Sequence, residues 1–125
     1  GLVDKKMYKE TVYNDPVETA QDMTQLLKKE EKCDLVICLS HLGYKYRDDA
    51  SKICDLKLAE LTQDIDLIIG GHTHTFLDKP TIVKNKAGEN VLVNQVGCYG
   101  INLGRIDFYF DKDKGHTNQG KSIIV

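Results

Sequence analysis

Long apolar runs are missing from this sequence: no stretch approaches the roughly 18 to 20 unbroken apolar residues that a membrane-spanning helix needs. The first residues, Gly1-Leu2-Val3-Asp4-Lys5, lack the charged and apolar regions of a signal peptide, and a start on Gly instead of Met gives the expectation of an excised piece. A surplus of positive charge is missing too. With a net charge of -2 and both signs interspersed, there is no basic face for a nucleic-acid polymer and no polybasic anchor for a membrane. Small molecules or other polypeptides are the expected partners. The four cysteines, Cys33, Cys38, Cys54 and Cys98, show neither CxxC spacing nor the density of a disulfide scaffold, so they are expected as packed thiols and not as ligands. Repeats, low-complexity tracts and linkers are also lacking, which leaves residues 1–125 as a single segment with one core.

What is present is an alternation of helical and strand patterns. Asn14-Asp15-Pro16 reads as a helix start, with a side-chain oxygen to cap free amides and a proline at the first turn. Val17, Ala20, Met23 and Leu27 then recur at helical spacing through Lys28-Lys29-Glu30-Glu31. The apolar run Leu35 to Leu39 suits a strand buried on both faces. A second helix is expected after a cap at Asp48-Asp49, with Ala50, Ile53, Cys54, Leu58 and Leu61 on one face, leading to a strand at Asp66 to Gly70. Helix, strand, helix, strand implies a parallel sheet with right-handed crossovers. From Pro80 the pattern changes to short strands without helices: Thr81 to Asn85, Val91 to Val96, Leu103 to Phe110 and Ser122 to Val125. The turn Lys86 to Glu89 and a polar hairpin loop, Asp111 to Gly115, join them.

The histidines fall where this architecture can use them. Ser40-His41-Leu42-Gly43 follows one strand and Gly70-Gly71-His72-Thr73-His74 follows the next. Loops beyond the carboxyl ends of parallel strands project side chains into a shared crevice without disturbing the ladder, so three imidazoles are expected to converge there. Imidazole suits zinc, manganese, iron or nickel, and His72 and His74, leaving alternately from one extended loop, could address two neighbouring ions. A lone histidine after a strand is more often a satisfied surface or core residue, and His116, in a polar loop, is read that way. Asp48 and Asp49 read as a cap, Asp66 opens a strand at the end away from the crevice, and Asp78 beside Lys79 reads as solvated. Tyr44 and Tyr46 read as partly buried anchors in the His41 loop, with a role in covering metals as the lesser alternative.

Ser40-His41-Leu42-Gly43 followed by Ile65 to Thr75 resembles the last two metal-binding blocks of the calcineurin-like metallophosphoesterase superfamily, the 5'-nucleotidase branch above all. Val12-Tyr13-Asn14-Asp15-Pro16, Gln95-Val96-Gly97 and Gly104-Arg105-Ile106-Asp107 are similar to that branch as well. The resemblance implies an α/β fold: half of a four-layer αββα metallophosphoesterase sandwich, with a parallel β-α-β portion followed by a mostly antiparallel, strand-rich portion. It implies that His41 and His72 bind a second metal and His74 a first, with an aspartate outside this chain bridging the pair. The cofactors so implied are two divalent ions, of Zn, Mn, Fe, Mg or Ca. The substrate class is phosphate esters, nucleotides above all.

The family's first three blocks, Asp-x-His, Gly-Asp and Gly-Asn-His-Glu or Gly-Asn-His-Asp, do not occur in this sequence. The N-terminal half of the domain is thus the expected partner. The isolated chain is expected to be inactive, with no catalytic residue of its own and at most weak metal binding. A different class of reading is a non-catalytic metal-binding or assembly module that pairs with a complementary or identical chain through an exposed sheet. A flavodoxin-like binding domain fits the residues before Gly70 but not the strand-rich remainder, and no phosphate-cradling glycine loop precedes a helix. Family members are often exported, periplasmic or secreted.

Overall fold

Asp15 begins the first long helix as its side chain dictates: Oδ1 accepts from the amides of Val17 and Glu18 at 2.9 and 3.0 Å, and Pro16 occupies the first turn. The computed structural model describes residues 4–111 and 115–124, with Lys5, Gly115 and His116 described by backbone alone. A short helix α1 (Lys5–Tyr8) precedes the long helix α2 (Pro16–Gln25), which runs into a π-helical turn, Leu26–Glu30. Lys32, with φ of 56°, ends it. Val17 and Ala20 face the core and Thr24 is buried, whereas Met23 is exposed. The apolar stripe therefore continues four residues after Ala20, at Thr24, and not at the expected Met23.

Strand β1 (Ile37–Leu39), helix α3 (Asp55–Leu61) and strand β2 (Leu67–Ile69) form the parallel unit that the sequence pattern implies. Helix α3 is shorter than expected. Asp49 caps a local turn instead, its Oδ1 accepting from Ser51 and Lys52 amides at 2.9 and 3.3 Å, and the helix starts only at Asp55. An Asx-type turn offers the backbone an alternative to helix, and here it wins.

The polypeptide then makes a hairpin, β3 (Thr81–Lys84) and β4 (Asn90–Asn94), with β4 lying parallel to β2. The sheet order is β1-β2-β4-β3, mixed in sense. A separate antiparallel pair, β5 (Asn102–Asp111) and β6 (Gly115–Ile124), completes the described residues. Strand β6 is longer than the expected Ser122 to Val125 and contains His116, a residue expected in a loop. Of that expected hairpin loop, residues 112–114 lie outside the described residues.

Period-two alternation divides the four-stranded sheet into unlike faces. Ile68, Val83, Val91 and Val93 are buried against Leu58 and Ala59 of α3, with Cys38 beside them. On the other face, Leu67 and Leu92 are covered, but Ile37, Leu39 and Ile69 are 46%, 80% and 43% exposed. The expectation that β1 is buried on both faces is corrected by this: β1 is an edge strand with one face uncovered. Between that face and Leu103, Ile106 and Phe108 of β5 runs an apolar groove of about 480 Å³.

Candidate metal centre

Both histidine loops leave the carboxyl ends of adjacent parallel strands, His41 after β1 and His72 after β2. Their imidazoles meet edge to face, with ring centroids 5.2 Å apart and planes at 71°. Two imidazoles held on one tetrahedral ion by bonds of about 2 Å have centroids roughly 5 Å apart, so this pair fits a shared cation. The fit depends on the double glycine. A Cβ on Gly71 would stand 3.0 Å from His41 Nδ1, so a larger residue would press the two loops apart.

His74 has a different ring neighbour. Its ring faces Tyr99, at 6.2 Å between centroids, and among the described residues no group of three or more His, Cys, Asp or Glu side chains could hold an ion. His41 and His72 are thus the two imidazoles in ring contact, and His74 follows two residues later on the same loop. His72 and His74 have φ of 69° and 50°, left-handed conformations that side chains other than glycine adopt at a cost of roughly 1 to 2 kcal/mol each. The loop is therefore kinked, not extended, and its two histidines do not leave in simple alternation.

The tyrosines act as anchors. Tyr44 Oη lies 2.9 Å from Thr81 Oγ1, and Tyr46 Oη donates to the carbonyl of Leu42 at 2.6 Å. Lys52 sits 3.8 Å over the Tyr46 ring, and that ring is tilted toward His72 at 6.5 Å. These contacts fix the loop that carries His41.

Two polar residues beneath the loops carry no sequence-level mark of function. Asp55, wholly buried at the start of α3, accepts from Ser40 Oγ at 2.5 Å through Oδ1, while its Oδ2 has no hydrogen-bond partner among the described residues and abuts Gly70. Burial pushes its carboxyl above the ordinary aspartate range, and the Ser40 hydrogen bond and the nearby His41 pull back against that rise. Gln95, just beyond β4, is buried with its amide inside the His72 loop. The only sequence signal for either was position: Asp55 stands three and four residues before buried Leu58 and Ala59, and Gln95 continues a run of buried strand residues.

Of the excluded carboxylates, Asp66 does lie at the far end of the sheet, accepting from the Val36 amide at 2.7 Å and pairing with Lys28 at 3.2 Å. It lines a polar cleft of about 580 Å³ with Lys28, Asp34, Asn85 and Glu89, remote from the histidines. Asp78 is exposed.

No protein-family model matches the chain. Individual relatives do. Over 114 residues, 91% of this chain, it is 43% identical to the trifunctional nucleotide phosphoesterase protein YfkN of Bacillus subtilis, and it is 34% identical to an apyrase of Aedes albopictus over 78% of its length. The crystal structure of a 5'-nucleotidase precursor from Thermus thermophilus superposes on 90% of the chain with a TM-score of 0.76 and 31% identity. The chain belongs to the 5'-nucleotidase group of metallophosphoesterases. Its mixed α/β fold, with parallel and antiparallel sheets, is that of the corresponding part of such enzymes. The chain spans 7% of the Bacillus protein, 19% of the mosquito apyrase and 23% of the Thermus chain.

Proposed function

We propose that this chain is the C-terminal part of the catalytic domain of a dinuclear phosphoesterase acting on nucleotides, and that it contributes His41 and His72 to one metal position and His74 to the other. The observation that supports this most directly is the edge-to-face pairing of His41 and His72 at the ends of two adjacent parallel strands. Two divalent cations, when bound, would supply Lewis acidity toward the phosphoryl oxygens and a bound water of lowered pKa. The residues of this chain do the holding. His41 and His72 would offer imidazole nitrogens to one ion, and the anchors at Tyr44 and Tyr46 would keep the first of them in place.

Neutral imidazoles bring no charge to balance two dications, and among the described residues no group of three or more His, Cys, Asp or Glu side chains completes a metal position. The bridging aspartate and the remaining ligands are therefore assigned to the N-terminal half of the domain, and the isolated chain to an inactive state. That half would cover the face carrying Ile37, Leu39 and Ile69, an apolar surface next to an open strand edge. An assembly module that pairs through the same surface is the second reading, and the exposed edge strand β1 is what favours it.

The deciding experiment is native mass spectrometry of the purified chain with Zn, Mn, Mg or Ca, beside a phosphatase assay. A 14.1 kDa species with little metal and no turnover is the expected result. Stoichiometric binding of two metals with hydrolysis by this chain alone would overturn the half-site assignment.

A further inference from the structure

Gln95 is 2% exposed, and every polar atom of its side chain is engaged with the loop that carries His72 and His74. Nε2 donates to the carbonyl of Gly71 at 2.6 Å. Oε1 accepts from the Thr75 amide and from Thr73 Oγ1, the latter at 3.1 Å. The backbone carbonyl of the same residue accepts from the Leu77 amide at 3.2 Å. One residue thus grips positions 71, 73, 75 and 77, and the residues between the first three grips are the two histidines with left-handed backbones.

Proton accounting extends the network to the other loop. Thr73 has a single hydroxyl proton, donated to Gln95, so in its 2.9 Å contact with Thr75 Oγ1 the proton comes from Thr75. The lone pairs of Thr73 Oγ1 also receive the Tyr44 amide at 2.9 Å, three residues beyond His41. The buried amide therefore links the backbones of both histidine loops.

We infer that Gln95 is a positioning residue for the metal site: its side-chain amide holds His72 and His74 in their left-handed conformations and fixes the His72 loop against the His41 loop. The inference rests on the metal-binding reading proposed above. Two bonds flank each strained residue, and without them the loop would relax toward ordinary φ and carry His72 away from His41. Hydrogen bonds that orient a ligand from outside typically change metal affinity 10- to 100-fold when removed.

The test uses Zn(II) binding to the full chain, measured by competition with a chromophoric chelator, together with amide hydrogen exchange and thermal melting. Gln95→Leu keeps the volume and removes the bonds, and His72→Ala serves as the control for the metal reading. The expected result is Zn affinity lowered about 10- to 100-fold in folded Gln95→Leu, with faster exchange at Thr75. Unchanged affinity in folded Gln95→Leu, where His72→Ala weakens binding, would overturn the positioning role alone. Zn binding indifferent to His72→Ala would remove the reading beneath it and the inference with it. Should Gln95→Leu not fold, exchange in the unsubstituted chain decides: a Thr75 amide protected like those of β4 supports the inference, and one exchanging at the free-peptide rate contradicts it.

Discussion

The two faces of the four-stranded sheet are built from the same strands and have opposite fates. Toward α3, Ile68, Val91 and Val93 are fully buried and form the core with Leu58 and Ala59. On the reverse, Ile37, Leu39 and Ile69 are as apolar but open to solvent. Apolar side chains on both faces of parallel strands are the pattern of a sheet meant to be covered twice. The comparison teaches that this chain's stability resides on the helical face, while the histidine loops stand at the border of a face whose apolar side chains are exposed.

Substitution sharpens that contrast most strongly. Ile68→Ala should cost about 2 to 5 kcal/mol, by lost burial and a residual cavity, whereas Leu39→Ala should stay within about 0.5 kcal/mol. Denaturant melts of the two variants give the comparison, and an equal loss at Leu39 would mean that the reverse face is already covered, by self-association or otherwise.

Gly70→Ala comes next, since its Cβ would stand 2.2 Å from Asp55 Oδ2 and 3.2 Å from Gln95 Nε2. Neither is free to retreat, so a loss of about 1 to 3 kcal/mol is expected in the same melts, and a neutral result would show that the packing beneath the loop is slack. Asp15→Ala, at the exposed cap before α2, should cost about 1 kcal/mol through the lost hydrogen bonds.

The smallest effect is a pH dependence. Because burial raises the folded-state pKa of Asp55, the native state holds its proton to higher pH than the unfolded chain does. Its contribution is most favourable below the unfolded value, near 3.8, and is lost as pH rises through the folded one. Asp55→Asn should flatten that part of the stability curve, and a slope that steepens upward with pH at this residue would reverse the sign of the account.

Much of this was legible in the residues. Asp15-Pro16 marked α2, the apolar runs marked β1 and β2, and Gly70-Gly71-His72 marked the loop that meets His41. Three kinds of information were not. Burial of β1 depends on what lies across it, which its own residues do not encode. The start of α3 turned on competition between Asp49's side chain and the helical backbone. Asp55 and Gln95 are polar residues inside apolar patterns, so periodicity smooths over them, and only their buried partners, Ser40 and the Gly71 to Thr75 loop, give them meaning. The kink at His72 and His74 is of the same origin, since positive φ at two histidines is not a property that side-chain type announces.

The most direct test of the shared position of His41 and His72 is a double-mutant cycle on Zn(II) affinity with His41→Ala, His72→Ala and the pair. If one ion is held between them, either single substitution should abolish the weak Zn(II) binding of the chain and the double variant should lose no more. Additive losses, with each single variant keeping its own binding, would place the two imidazoles on independent sites and contradict the shared metal position proposed above.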